Sequence, residues 1–303
     1  MPPISMWFLQ FRKNSILLST AIRNFYTQPF YHAASGTLSE LAADSKYLGA
    51  AIGYICILHT WGSAMNFHPH IHAIVLGGGL DVKNHWKDNG EDFFLPIKVI
   101  SKVFRGKYMA ELKQLWEDRK LEFHGSASPY KNCYTFKELL NTCYTKEWVP
   151  YCKKTFDGAE SVIRYLGKYT HRIAISNYRI KGMTESTVTF STKDYKKQGQ
   201  WKEVTISGEE FIRRFLMHVP PKRFVRIRHY GLLSSRNKNT KITMCRNILG
   251  CQKYISRLKD MDAPAIIQLL YNKDICKCSS CGGKILPLSP GQYHVTPKPH
   301  MLC

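Results

Sequence analysis

Two apolar stretches in the first third of the chain have the pattern of strands. Residues 51–59 and 70–76 are rich in β-branched and aromatic side chains, which is typical of strands in a packed sheet. The connection between them is short, so we expect them to pair antiparallel. The second strand is expected to end at the glycine run 77–79, because glycine commonly marks the end of a strand.

The rest of the chain alternates between helical and strand-like patterns. Apolar residues recur at helical spacing in segments 33–47, 98–121, 159–169 and 208–218, with a short helix near 136–140. Further strands are predicted at 172–180, 186–192, 201–207 and 224–230, the first three as a meander. We expect Ser35 or Thr37 to cap the first helix and Ser207 to cap the last, because hydroxyl side chains accept hydrogen bonds from the first helical amides.

The composition is that of a folded and strongly basic protein. Hydrophobic residues make up 44% of the 303 positions, which excludes a disordered chain, and the length suits one large domain or two ordinary ones. No run of about 18 apolar residues occurs, so a membrane-spanning helix is not expected. Lys and Arg number 44 against 22 Asp and Glu, and the charge of +22 favours a polyanionic partner. Aromatic residues interleave with the basic ones at 193–202 and 222–236, which favours nucleic acid over a merely solvated basic surface.

The ten cysteines are spread singly until a cluster near the end of the sequence, which is unlike a disulfide framework. No convincing signal peptide precedes them, so a reduced, cytoplasmic setting is expected. Cys278 and Cys281 have the spacing of a zinc knuckle, and Cys276 and Cys303 are candidate further ligands of a structural zinc ion, with His294 or His300 as alternatives to Cys303. A tail of free thiols without zinc is the competing interpretation.

Histidines at the second predicted strand carry the clearest candidate chemistry. On a strand, His70 and His72 project from one face while Ile71 points to the other, so both imidazoles can bind one metal ion. His59, at the end of the preceding strand, is a candidate third ligand. Imidazole suits Zn, Mn, Fe, Co or Ni better than Mg or Ca. The competing interpretation is a hairpin with ordinary surface or core histidines.

A later stretch offers candidate nucleophiles. Tyr165 and Tyr169 lie four residues apart, which places both hydroxyls on one face of the predicted helix. A phenol attacks a phosphate when a metal polarises the target and a nearby group draws off the phenol proton, and Lys168 and His171 lie beside the pair. Two tyrosines at this spacing are more often packing residues, so the nucleophile hypothesis depends on the histidine site in the same chain.

Three segments together resemble a known family. HPHIHAIVLGGG, YLGKYTHRIAISNYRI and EEFIRRFLMHVPPKRFVRIRHYGLL are similar, in that order, to the two-tyrosine HUH transposases of rolling-circle insertion sequences, over about residues 33–250. The resemblance implies that His70 and His72 are ligands of a divalent metal, Mg or Mn. It leaves the third ligand open, with His59 as the candidate and His68 as the alternative.

The same resemblance implies a reaction and a partner. Tyr165 or Tyr169 is expected to attack a DNA phosphate and form a 5′-phosphotyrosine link, with Lys168 as a further catalytic residue. The expected partner is single-stranded DNA at the ends of a mobile element. A rolling-circle replication initiator or relaxase-like nickase, and an inactive DNA-binding remnant, are the alternatives. The candidate DNA-binding residues are Arg172, Arg226, Arg228, Tyr230, Arg236 and Lys238, with Tyr230 as a stacking ring between cations.

We expect an α+β fold in which a central antiparallel sheet carries the metal site and helices pack behind it. The predicted parts are a divergent or truncated N-terminal segment at 1–32, a catalytic domain at 33–260 and a cysteine-containing tail at 261–303. Members of the family usually begin with a cysteine-rich zinc-binding module and a first core strand. No cysteine precedes Cys56 and the opening residues show no clear strand, so the prediction is a sheet that lacks this strand and supports the histidines less well.

Overall fold

The computed structural model describes residues 6–12, 27–88, 95–146, 148, 150–156, 174–194, 197–251, 258 and 260–285. The chain divides into two compact units, residues 1–251 and residues 252–303. In chain order the strands are β1 (Met6–Arg12), β2 (Ala51–Trp61), β3 (Phe67–Leu80), β4 (Trp86–Asp88), β5 (Tyr151–Phe156), β6 (Ile180–Met183), β7 (Thr187–Asp194), β8 (Gln200–Ser207) and β9 (Ile227–Gly231). The helices are α1 (Thr27–Ala43), α2 (Ile97–Glu117), α3 (Cys133–Thr145), α4 (Gly208–Leu216), α5 (Lys241–Ile248) and α6 (Ala263–Tyr271).

Two antiparallel sheets organise the first unit. The main sheet has the order β5–β1–β3–β2–β9, and β4 pairs with the end of β3. The smaller sheet has the order β6–β7–β8. The expected α+β class and the antiparallel pairing of the two histidine strands are confirmed.

The two faces of β2 and β3 differ in chemistry because successive side chains on a strand alternate. On one face, Leu58 lies opposite Ile71 and Cys56 lies opposite Ala73, and all four are buried in the core. Aromatic side chains complete this core, among them Phe30 of α1 and the rings of Phe104, Tyr108, Phe136 and Trp148. The other face of the same strands is therefore left for the histidines.

The prediction that the first core strand is missing is wrong. Residues 6–12 form β1, which lies inside the main sheet between β3 and β5. Its register sets Gln10 opposite His72 and Arg12 opposite His70. The sequence MWFLQFR begins with four apolar residues and lacks the strict alternation of a half-exposed strand, so its pattern alone did not identify it as a strand.

The prediction that β3 ends at the glycine run 77–79 is wrong. The strand continues through the run 77–79 and ends only at Leu80. A Cβ atom on Gly79 would lie 2.3 Å from the carbonyl oxygen of Ala51 on β2, so the close approach of the two strands requires glycine there. The glycines therefore allow tight pairing and do not terminate the strand.

The start of α1 also differs from the prediction. The helix begins at Thr27, and Ser35 and Thr37 lie inside it, where their hydroxyls donate to the carbonyl oxygens of His32 and Ala33. The helix starts earlier than predicted because Pro29 lies in its first turn, where proline is tolerated, so neither hydroxyl residue is a cap. Ser207 does cap α4, accepting a hydrogen bond from the Glu210 amide, as predicted.

Most other elements agree with the predicted ones within a few residues. The helices predicted at 98–121 and 208–218 and the strands predicted at 186–192, 201–207 and 224–230 are present as α2, α4, β7, β8 and β9. Residues 174–179 are not a strand as predicted, because a bend and a short 3₁₀ turn at Asn177–Arg179 precede β6. The helix predicted at 159–169 lies outside the described residues.

A second, smaller core joins the smaller sheet to the tip of the β2–β3 hairpin. Met65 of the hairpin turn and Phe190 of β7 are fully buried in it. Trp61 at the end of β2 and the α4 side chains Phe211 and Phe215 pack against them. The smaller sheet and α4 are thus fixed to the end of the hairpin that carries the histidines.

Candidate metal centre

The register of the β2–β3 hairpin brings three histidines to one face of the sheet. His70 and His72 alternate with Ile71 on β3, and His59 of β2 lies directly opposite His70. Directly opposed residues of an antiparallel pair share a face, so the three imidazoles are neighbours although His59 is distant in sequence.

The three imidazoles form a compact, buried group. One ring nitrogen from each of His59, His70 and His72 lies within 4.8 Å of the others. The side chains are only 2%, 7% and 7% exposed, respectively. Among the described residues, this is the one group of three or more His, Cys, Asp or Glu side chains whose ligand atoms come so close. The expected third neighbour, His59, is therefore present, and the alternative, His68, is not a member of the group.

His68 instead contributes through its backbone. The Nδ1 atom of His70 lies 2.7 Å from the carbonyl oxygen of His68. A carbonyl only accepts, so Nδ1 of His70 carries the proton, and in the neutral ring the lone pair is on Nε2. A backbone carbonyl that fixes the tautomer in this way is typical of metal-binding histidines.

The electrostatics of the site favour neutral imidazole. Burial lowers the pKa of His59 well below its ordinary value, and the neighbouring His70 and the positive charge of Arg226 lower it further. His59 is therefore uncharged at neutral pH, which is the form of histidine that binds metal ions.

Trp61 and Arg226 border the histidines. The indole of Trp61 stacks on the His59 ring at 5.2 Å between ring centres and an interplanar angle of 9°. The guanidinium of Arg226 lies 5.6 Å from the centre of the Trp61 ring, and the Arg226 carbonyl oxygen accepts hydrogen bonds from Leu58 and Tyr31. A cation is thus held beside the neutral metal-binding group. Sequence reasoning missed Trp61, whose only signal is its position two residues after His59.

His218, which follows α4, forms hydrogen bonds to both β2 and the turn between β2 and β3. Its Nε2 atom lies 2.9 Å from the carbonyl oxygen of Met65, so Nε2 donates, and its Nδ1 atom accepts from the Thr60 hydroxyl at 3.0 Å. Its ring also stacks on Phe67, and the residue is only 3% exposed. Burial lowers the pKa of His218, whereas the Met65 hydrogen bond raises it. A neutral His218 with both ring nitrogens hydrogen-bonded therefore fixes the turn next to His59, and no sequence pattern indicated this role.

The predicted nucleophile segment is not among the residues that can be placed. Tyr165, Lys168, Tyr169 and Arg172 lie outside the described residues. Their assignment continues to rest on the resemblance of the sequence around them.

The other predicted DNA-binding residues do not form one strip beside the histidines. The ring of Tyr230 stacks on Tyr54 in the core at 5.3 Å. Arg228 lies 4.0 Å from the centre of the Tyr31 ring and donates to the Gln28 side chain. Of the predicted DNA-binding residues that the structure describes, only Arg226 lies at the metal-binding group. Two exposed members, Arg236 and Lys238, lie in the turn after β9, at the opposite end of that strand from Arg226.

The cysteine tail belongs to the second unit. Cys276, Cys278 and Cys281 are described there and Cys303 is not. The Cys278 amide donates to the Gly283 carbonyl oxygen, which closes a tight turn around Cys281. A hydrogen bond from the Cys281 amide lowers the pKa of the half-buried Cys278 thiol. The zinc site at these cysteines stays a prediction.

None of the helices in the described part of the chain is both long and apolar enough to cross a membrane.

Known proteins similar to this chain share one description. A family described as "Putative transposase" matches residues 53–241. The "Putative transposase y4qJ" of Sinorhizobium fredii (strain NBRC 101917 / NGR234) is 40% identical over 221 residues, which cover 73% of this chain and 56% of that protein. The transposase for insertion sequence element IS801 of Pseudomonas savastanoi pv. phaseolicola is 28% identical over 271 residues, which cover 82% of this chain and 60% of that protein. The chain thus spans little more than half the length of these relatives, and no solved structure matches it significantly.

Proposed function

The chain belongs to this family of insertion-sequence transposases, and from that premise we propose that it cuts and rejoins single-stranded DNA at the ends of a mobile element. The observation that carries the proposal is the grouping of His59, His70 and His72, with ring nitrogens within 4.8 Å on one sheet face. The charge of +22 supports a nucleic-acid substrate. Similarity to the IS801 transposase favours element ends over a replication origin.

The donor set fits a divalent transition metal. Three imidazoles on one hairpin favour Mn²⁺ over Mg²⁺, because Mg²⁺ prefers oxygen ligands. When bound, such an ion polarises a phosphate and stabilises the negative charge that develops on its oxygens. His59, His70 and His72 would hold it, with the tautomer of His70 fixed by the His68 carbonyl.

Arg226 supplies a second positive charge at the same place. Burial is the main cause of the lowered pKa of His59, and the positive charge of Arg226 lowers it further. In the proposed complex the guanidinium pairs with a phosphate of the DNA strand, which orients the strand across the histidine face. Its stacking on Trp61 keeps the guanidinium at the edge of the site.

The nucleophile is assigned to Tyr165 or Tyr169. In the proposed step the phenol oxygen forms a bond to phosphorus, the bond to the 3′ oxygen breaks, and the strand is left with a free 3′-hydroxyl. The phenol proton passes to a base for which Lys168 and His171 are the candidates, and the 3′ oxygen takes up a proton. Rejoining is the reverse attack by a 3′-hydroxyl, so the phosphodiester energy is kept in the phosphotyrosine link.

Nicking of single-stranded DNA tests the proposal. End-labelled strands copied from the genomic sequence on both sides of the gene are incubated with the full chain and Mn²⁺. The double variant His70→Ala/His72→Ala is expected to bind these strands but not to cut them, whereas the control His85→Ala, at an exposed turn, cuts normally. Undiminished cutting by the double variant would contradict the metal assignment. Cutting only of double-stranded DNA would contradict the proposed substrate.

A further inference from the structure

An exposed tryptophan on the smaller sheet has the surroundings of a nucleotide-binding site. Trp201 of β8 is 55% exposed. Lys193 lies directly opposite it on β7, with Nζ 5.4 Å from the centre of the indole ring. The guanidinium of Arg179 lies 5.9 Å from the same centre. An accessible aromatic ring with cations close to it offers stacking to a base and charge to its phosphate.

Buried hydrogen bonds fix this surface to the histidine hairpin. The Arg179 side chain, only 9% exposed, donates to the carbonyl oxygens of Ser191 on β7 and Ser63 in the turn between β2 and β3. The Lys193 amide donates to the Ser63 hydroxyl at 2.6 Å. Trp201 therefore has a defined place beside the turn whose flanking strands carry the three histidines.

The acidic residues nearby do not cancel this charge. Asp194, next to Lys193 on β7, is paired with Lys202 at 3.0 Å. Glu203 lies two residues from Trp201 on the same strand and is the one acidic side chain on that face of β8. The local balance stays positive, as it is for the whole chain.

We propose that Trp201 and Lys193 form a subsite for one nucleotide of single-stranded DNA, in which the base stacks on the indole and the lysine contacts the phosphate. A base in a duplex is already stacked on its neighbours, so the subsite selects unpaired strands. Binding at the subsite is measured without cleavage, but its role in the reaction rests on the proposed function. Because the smaller sheet is fixed to the β2–β3 hairpin, a nucleotide bound at the subsite would position the DNA strand that crosses the histidines.

Binding measured in EDTA separates the subsite from the chemistry. The probes are a fluorescent oligothymidine of about 12 nucleotides and an abasic strand of the same length and charge. The full-length proteins are wild type, Trp201→Ala, Trp201→Phe and the control Tyr134→Ala, which removes an 80% exposed ring on α3. Trp201→Ala should weaken oligothymidine binding about tenfold, Trp201→Phe should weaken it less, and neither should change binding of the abasic strand.

The salt dependence tests the lysine. Lys193→Gln should reduce the slope of log affinity against log salt by about 0.7, the contribution of one phosphate contact on a single strand, while Trp201→Ala should leave that slope unchanged.

Equal oligothymidine affinity for Trp201→Ala and wild type would overturn the proposal, as would an equal loss on the abasic strand. A change in self-association with unaltered DNA binding would assign the surface to a second copy and would also overturn it. Normal DNA cutting alongside unaltered binding would leave the proposed function standing. If the variants lose binding as expected but the wild-type protein cuts no DNA, the subsite would stand and only the proposed function would be contradicted.

Discussion

His59 and His70 lie directly opposite each other on neighbouring antiparallel strands, with their ring centres 5.3 Å apart. Their shared face depends on the register of β2 against β3. A slip by one residue would turn His59 to the core face, because side chains alternate along a strand. The candidate metal centre is therefore a property of strand pairing and not of the short HPHIH stretch alone.

The first prediction concerns the third ligand. His59→Ala should lower the affinity for Mn²⁺ by at least about tenfold, because removing a ligand costs no less than removing a supporting group around it. His68→Ala should have a smaller effect, since it removes only a ring 5.4 Å from that of His70 and keeps the backbone carbonyl that bonds to His70 Nδ1. Titration calorimetry at neutral pH measures both, with His85→Ala as the control. If His68 were the third ligand, His68→Ala would lower the Mn²⁺ affinity more than His59→Ala does.

The second prediction concerns the glycine run in β3. Gly79→Ala should destabilise the protein by about 1–3 kcal/mol or more, because the new Cβ would meet the Ala51 carbonyl oxygen and the strands cannot stay paired at their present distance. Gly182→Ala on β6 is the matched control, since its Cβ meets no atom within 4 Å. Urea unfolding of the two variants gives the comparison. Equal midpoints would show that β2 and β3 can separate at Gly79 without cost.

Runs rich in β-branched and aromatic residues predicted the histidine hairpin correctly, and the alternation of side chains along a strand then determined which histidines share a face. The position of His59 at the end of the first strand was enough to suggest a third ligand. The pattern failed where a distant partner decides the structure. The glycines at 77–79 stay in β3 only because β2 approaches closely, and Met6–Arg12 is a strand only because β3 and β5 lie on both sides of it.

The surroundings of the site were even less visible in the sequence. Tyr230 keeps the cation Arg228 beside it in the fold, but its ring stacks on that of Tyr54. His218 is distant from His59 in sequence, and its contacts with Thr60 and Met65 follow from the packing of α4 on the hairpin. No periodicity encodes such tertiary contacts, so a residue that supports the site is found only when the elements are assembled.

The third prediction uses the titration of His218. Burial lowers its pKa in the folded state, so the unfolded chain takes up a proton first as the pH falls below about 6.5, and the stability from the neutral ring is lost there. His218→Gln has no such proton. In EDTA, its deficit in unfolding free energy against wild type should be about 1–3 kcal/mol at about pH 8. That deficit should shrink by up to about 1.4 kcal/mol per pH unit below about pH 6.5.

Urea unfolding across this pH range measures the difference between the two proteins, and the other histidines cancel because both proteins contain them. A deficit that stays constant down to about pH 5.5 would mean that His218 is protonated in the folded state. The hydrogen bond from Nε2 to Met65 would survive in that case, whereas acceptance by Nδ1 from Thr60 would not.

The last prediction concerns the tyrosine pair. Tyr165→Phe or Tyr169→Phe should leave some cutting of a single strand but impair complete strand transfer, because transfer needs two covalent links. The double Phe variant should form no covalent protein–DNA adduct, since phenylalanine keeps the ring and lacks the nucleophile. Phe is the appropriate probe, because Ala would also open a cavity and confound chemistry with stability. A denaturing gel of labelled oligonucleotide with Mn²⁺ shows the adduct as a retarded band. An adduct that persists in the double variant would assign the nucleophile to another residue, whereas a wild-type chain that binds DNA and forms none would favour a DNA-binding remnant.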